Sequence, residues 1–169
     1  MSRVAVIGAG AFGTALACVA RRAGSEAVIW ARDPAIADSI GRGDGNPAYL
    51  PDIALEPGIR ATSDVAVALD GADAVLLAVP SQFVRDVSAR LRPHMPVGVP
   101  LVLCAKGIER GSCALMTEVV ADTLPDAPVA VLSGPTFARE VAQGLPTAIT
   151  LAAADAEMGE RLARMIGSA

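Results

Sequence analysis

The chain has 169 residues, 53% of them apolar and 3% aromatic, and its 14 basic and 18 acidic side chains leave a net charge of −4. A domain of this length buries about 70% of its unfolded surface, so it needs no staple. The absence of a basic cluster argues against a nucleic-acid partner, and the opening apolar run is too short to span a membrane and leads into glycines instead of a cleavage site.

In chain order, Arg3-Val4-Ala5-Val6-Ile7 has strand character and runs without a break into Gly8-Ala9-Gly10-Ala11-Phe12-Gly13. Residues suited to a helix follow, from about Ala11 to Ala23, closed by Gly24. The spacing has a mechanical meaning: Gly8 permits a sharp turn, Gly10 lets the backbone approach a pyrophosphate, and Gly13 lets the helix pack close to the strand. The N-terminus of that helix directs unpaired N–H groups and a positive dipole end into the turn. An anionic dinucleotide meets that demand. Glu26 to Trp30 reads as a second strand, parallel to the first through a right-handed crossover. Beyond it stand Arg32 and Asp33. Asp33-Pro34 reads as an N-cap followed by proline at the first helical position, which leaves Arg32 nearer the adenosine and keeps both NADP and NAD open.

A short helix, Ala35 to Ile40, gives way to the loop Gly41 to Pro51, which carries the only tyrosine, Tyr49, as a residue able to cover a ligand. Ile59 to Thr62 is a short strand, and Ser63 or Asp64 starts a helix reaching Leu69. Ala74 to Val79 is apolar on both faces, as a central parallel strand should be. Pro80 stops it, Ser81 is expected to cap the next helix, and Phe83, Val84, Val87 and Leu91 make that helix's apolar face. Val79-Pro80-Ser81 should border the ligand. Leu101 to Cys104 is a fifth strand, followed at once by Ala105-Lys106-Gly107. Thirteen of the 14 basic residues are arginine, and the one lysine stands here. At the carboxyl end of a central strand its ammonium can hold a phosphate or polarise a carbonyl. His94, the only histidine, falls at the opposite edge and reads as a surface residue.

A helix is expected from about Ser112 to Leu124, then a strand Val129 to Leu132 and the turn Ser133-Gly134-Pro135-Thr136-Phe137, which presents a second helix N-terminus to the crevice. Thr147 to Leu151 makes a seventh strand, and Ala156 to Ile166 an amphipathic helix. Cys18, Cys104 and Cys113 match no metal or disulfide spacing and read as reduced and structural, in a cytoplasmic protein. The alternation predicts an α/β fold of Rossmann-like, doubly wound form, a mostly parallel sheet with helices on both faces, with residues 1–169 as one NAD(P)-binding domain.

Ile7 to Ala17, Trp30 to Asp33, Asn46 to Pro51, Val79 to Ser81, Ala105 to Glu109 and above all Ser133 to Val141, with Gly144 to Ala148 after it, together resemble the bacterial NAD(P)-dependent glycerol-3-phosphate dehydrogenases over essentially the whole chain. Carried over by position, the resemblance implies cofactor contacts at Ala11, Phe12, Arg32, Tyr49, Lys106 and Ala138, which join Gly8, Gly10 and Gly13 of the glycine turn. It implies substrate contacts at Lys106, Gly134 and Thr136. Ala105 departs from the family, where threonine or serine often stands. The implied reaction is hydride transfer between sn-glycerol 3-phosphate and dihydroxyacetone phosphate with NAD or NADP, supplying glycerophospholipid synthesis. Also implied is a helical second domain beyond residue 169 holding the lysine that carries the proton, so that no catalytic residue is expected here, the chain alone should be nearly inactive, and the full-length protein should be a homodimer. Two rivals are another two-domain hydroxy-acid dehydrogenase and a dinucleotide-sensing module without chemistry.

Overall fold

The computed structural model describes residues 1–167. In chain order these form β1 (Arg3–Ile7), α1 (Ala11–Arg22), β2 (Glu26–Trp30), α2 (Pro34–Arg42), β3 (Arg60–Thr62), α3 (Val65–Leu69), β4 (Ala74–Leu77), α4 (Val84–Leu91), β5 (Leu101–Leu103), α5 (Met116–Thr123), β6 (Val129–Ser133), α6 (Ala138–Ala142), β7 (Thr150–Ala153) and α7 (Ala156–Ile166). One sheet runs β3-β2-β1-β4-β5-β6-β7. All its pairs are parallel except β6 with β7.

Successive strand residues point to opposite faces, and that period divides the core in two. Val4, Val6, Ile29, Leu76 and Val102 lie on one face with Leu16 of α1 and Leu162 of α7. Ala5, Ile7, Val28, Val75 and Leu77 lie on the other with Leu69 of α3, Leu91 of α4 and Val119 of α5. Each large aliphatic side chain so buried contributes about 1.5–3 kcal/mol. Helices cover both faces, so the doubly wound, mostly parallel, Rossmann-like sheet expected from the sequence is the fold observed. No helix of the described residues is long and apolar enough to cross a membrane.

Four local expectations need correction. Ser81 caps no helix: it lies in a 3-10 turn, Ser81–Phe83, with Pro80 at the cap position, and α4 starts only at Val84. Because that turn has 3.0 residues per turn, the helical phase read from Phe83 does not carry through. Val84 and Leu91 are buried, but Phe83 stands 48% exposed. Secondly, α5 begins at Met116 instead of Ser112. The preceding residues close a loop in which Ile108 bridges Leu115 and Cys113 takes a left-handed φ of 59° that no helix admits. Thirdly, the last strand is Thr150–Ala153, shifted from the expected Thr147 to Leu151, and antiparallel to β6. The five residues of α6 rise only about 7.5 Å, too little to return the chain to the far end of the sheet for a parallel entry. Finally, that same short α6 gives the Gly134 turn a much weaker helix terminus than the sequence suggested.

Candidate functional site

The chain runs outward from β1 through β2 to β3 and then crosses back to β4 on the other side of β1. The order of strands thus reverses between β1 and β4, and in such sheets ligands gather beyond the carboxyl ends at that point. The β1–α1 turn stands there. The Gly8 N–H donates to the Trp30 carbonyl at 3.0 Å, and the residue adopts φ +117° with its missing Cβ 2.6 Å from the Ala78 carbonyl oxygen. A Cβ on Gly13 would stand 2.0 Å from the Gly8 carbonyl oxygen, so helix and turn touch backbone to backbone. Gly10 is the opposite case. It is the N-cap of α1, and a Cβ there would meet nothing within 4 Å. No side chain caps this terminus, so the first-turn N–H groups of Ala11, Phe12 and Gly13 have no side-chain partner there, and the space beside Gly10 is open.

Asn46 was not read as a site residue in the sequence. Its side chain, 1% exposed, lies under the glycine turn. The Nδ2 group donates to the Ala9 carbonyl and to the Thr14 hydroxyl, each at 2.8 Å. Its own carbonyl accepts from the N–H of Leu50 at 2.8 Å. The loop that bears Tyr49, itself 54% exposed, is therefore fastened to the turn from beneath. Leu50 and Ile53 pack it against Ala15, Val141 and Ala142, and Arg139 holds the Pro51 carbonyl at 3.1 Å. In the sequence the position is marked by the turn chemistry of Asn46-Pro47 and by its place in the resembling segment Asn46 to Pro51, neither of which shows that the amide is buried.

Past β2, the Asp33 carboxylate accepts from the Ala35 N–H at 2.9 Å and Pro34 opens α2, so Asp33 is the expected cap. Arg32 is exposed beside it, with no hydrogen bond or ion pair among the described residues. Trp30 donates from Nε1 to the Ser63 carbonyl and lies under the Arg90 guanidinium at 5.2 Å.

Lys106 emerges from the β5 end and is exposed. Its Nζ donates to the Gly134 carbonyl at 2.7 Å, so the ends of β5 and β6 are joined through two residues that the sequence singled out separately. Gly134 is required there, since a Cβ would stand 2.7 Å from the Ala148 carbonyl oxygen. Thr136 follows two residues later, half-buried, and Ala138 opens α6. His94 lies before β5, at the opposite end of the sheet, as the sequence indicated. Burial pushes the Cys104 thiol up to about 12, so it stays protonated and unreactive at neutral pH. Among the described residues no group of three or more His, Cys, Asp or Glu side chains is placed to hold a metal.

The loop after Lys106 is clamped at Glu109. Arg85 of α4 grips its carboxylate with Nε to Oε1 at 2.8 Å and Nη2 to Oε2 at 2.9 Å, and the Ser112 hydroxyl donates to Oε2 at 2.5 Å. The hydrogen bonds from Arg85 and then Ser112 hold the Glu109 carboxyl down to about 2. A carboxyl whose folded value is depressed stabilises the native state fully above its unfolded value, and loses that contribution as pH falls through the folded one. Urea midpoints measured from pH 5 down to pH 2.5 should therefore fall less steeply in Glu109→Gln than in the unsubstituted protein. Parallel curves would show that the clamp adds nothing to stability.

With this geometry in place, the similarity to known proteins is specific. Residues 3–159 match the family described as NAD-dependent glycerol-3-phosphate dehydrogenase N-terminus. A glycerol-3-phosphate dehydrogenase [NAD(P)+] of Paramagnetospirillum magneticum is 56% identical over 169 residues, 100% of this chain and 61% of that protein. The Rhodospirillum rubrum protein of the same name is 52% identical over 99% of this chain and 48% of its own length. The crystal structure of glycerol-3-phosphate dehydrogenase from Coxiella burnetii superposes with a TM-score of 0.91 at 33% identity, covering 99% of this chain and 51% of that one. The chain thus spans about half to three fifths of the length of these relatives.

Proposed function

The chain belongs to the NAD-dependent glycerol-3-phosphate dehydrogenase family, and we propose on that basis that it binds NAD or NADP for hydride transfer between sn-glycerol 3-phosphate and dihydroxyacetone phosphate. The observation that carries this reading is the combination of an uncapped α1 N-terminus, open space at Gly10, and Lys106 standing across the crevice end of the sheet. The residues present fit a dinucleotide: open space at Gly10 and the uncapped first turn of α1, at Ala11, Phe12 and Gly13, would hold its pyrophosphate. When bound, the nicotinamide supplies the carbon that gives or accepts the hydride.

The remaining roles belong to the chain's own side chains. Arg32 lies at the adenosine end, and its free guanidinium suits a 2′-phosphate. Tyr49 covers the cofactor from its fastened loop, and Ala138 borders it from α6. Lys106, with Gly134 and Thr136 beside it, holds the substrate near the nicotinamide and supplies positive charge to a carbonyl oxygen that gains negative character. We place no proton-transferring residue among those described, because Lys106 is engaged with Gly134 and His94 is at the wrong end. Residues 1–169 on this reading are one dinucleotide-binding domain, with little turnover by themselves. The resemblance alone supports a homodimer, a cytoplasmic location and a role in glycerophospholipid synthesis.

Mixing the purified chain with NADPH, and in parallel NADH, tests this. Cofactor fluorescence should change on binding, while dihydroxyacetone phosphate should cause little steady oxidation. Absence of any fluorescence change with either nucleotide would remove the dinucleotide reading. Sustained oxidation would show that a proton carrier is present in this chain after all.

A further inference from the structure

Lys106 stands at the start of a loop of about ten residues that has almost no regular structure, yet its ammonium meets Gly134 at hydrogen-bond distance. What fixes it is not near it in sequence. Two side chains from the segment after β4, the central strand, reach over to the loop. Gln82 donates from Nε2 to the Ile108 carbonyl at 2.9 Å and accepts from the Arg110 N–H at 3.0 Å, so it brackets Glu109 on both sides. Arg85 takes the carboxylate between them with two nitrogens, and its Nη2 also meets Asp122 of α5 at 3.3 Å. Inside the loop, the Glu109 N–H donates to the Ala114 carbonyl and the Glu109 carbonyl accepts from the Cys113 N–H, at 2.9 and 3.0 Å. Gly107 passes so close to Ser81 that a Cβ there would stand 3.3 Å from its hydroxyl. Apart from the Arg85–Asp122 pair, these contacts all land on Gly107 to Ala114 of the loop that follows Lys106, and none involves the lysine side chain itself.

We propose that Glu109, gripped by Arg85 and bracketed by Gln82, is a positioning residue that sets where the Lys106 ammonium stands against Gly134. It rests on the reading of Lys106 as the group that orients the ligand. A paired, bidentate carboxylate suits this work, because the fork fixes direction as well as distance. The arrangement also ties the lysine at the β5 end to the β4–α4 segment, so three strand ends bordering the crevice hold one geometry.

The chain has a single lysine, so protein grown with 13C,15N-lysine gives one side-chain spin system, and its NMR signals report Lys106 with no ligand present. In the unsubstituted protein the two Hε protons should be inequivalent, as for a side chain held in one place. In Glu109→Gln they should merge and sharpen while the backbone spectrum away from residues 104–115 and from their contacts at Ser81 to Arg85 and Asp122 stays unchanged, and Glu109→Asp, which keeps the charge, should recover part of the splitting. Affinity for NADPH should fall about tenfold in Glu109→Gln with the loss of one charge-assisted contact's worth of order. Gln82→Ala, which removes the bracket and leaves the ion pair, gives the same readout should Glu109→Gln fail to fold. A Lys106 signal identical to that of the unsubstituted protein in a folded variant would overturn the proposal. If the unsubstituted chain binds no NADPH, the dinucleotide reading falls, while the lysine signals still decide the role of Glu109.

Discussion

Gly13→Ala should lower the melting temperature by about 10 °C, whereas Gly10→Ala, three residues earlier in the same turn, should leave the fold intact and lose the dinucleotide. The difference lies in what each new methyl group meets. At Gly13 it would stand 2.0 Å from the Gly8 carbonyl oxygen, and Gly8 is itself pressed against Ala78, so neither backbone can give way without separating α1 from the sheet. Overpacking of a core side chain costs about 1–3 kcal/mol because side chains can turn aside. Here only main chain is available, and about 4 kcal/mol is the expected loss. At Gly10 the methyl group enters open space, and φ −69° with ψ 176° suits any residue. Stability should change by about 1 kcal/mol or less, while the methyl group occupies the space assigned to the pyrophosphate and weakens NADPH binding by at least about tenfold. Thermal melts followed by circular dichroism, with a fluorescence titration of each variant, separate the two. A Gly13→Ala protein melting beside its parent, or a Gly10→Ala protein with unchanged affinity, would contradict this account of the turn.

Asn46→Leu is the second large expected loss, about 2–4 kcal/mol in urea unfolding. The leucine keeps most of the volume but donates to neither the Ala9 carbonyl nor the Thr14 hydroxyl, and both groups lie in the closed space beneath the glycine turn. The N–H of Tyr49 also loses its contact with Asn46 Oδ1, at 3.3 Å, so the loop over the crevice should loosen with it. Combining Asn46→Leu with Thr14→Val checks the assignment. Because the two residues share one hydrogen bond, the double variant should lose less than the two single variants together, by about 1 kcal/mol. Strict additivity would mean that Asn46 acts without Thr14.

The parts of this molecule that can be read in the sequence are those governed by period and by glycine. Strands such as Ala74 to Leu77, apolar on both faces, announce a central position, and Asp33-Pro34 announces its cap. Lys106 could be singled out because it ends a strand and has no other lysine beside it. Its tie to Gly134, 28 residues away, could not be read, because a sequence gives no distance between two strand ends. Asn46 was hidden for a related reason. An asparagine in a glycine- and proline-rich loop satisfies local turn rules, and nothing local shows that its amide is buried against the turn that precedes α1. The start of α5 was misplaced because the Arg85 and Gln82 contacts, both from another element, hold residues 108–115 in a loop that helix propensity would have taken over.

The parallel sheet has a consequence for how the chain must be made. Val4 to Ile7 of β1 are buried between β2 and β4, and where the strand begins, the Arg3 N–H donates to the Asp73 carboxylate across a separation of 70 residues. During synthesis β1 can pair with β2 early, but its other edge waits until β4 has been made, several seconds later at about 5–20 residues per second. Throughout that interval the backbone groups along the β4 edge of β1 stay free, and Ala5 and Ile7 wait for the cover of α3, α4 and α5. Such non-local pairing folds slowly. A strand at the centre of the finished sheet is thus at risk of aggregation while the domain forms.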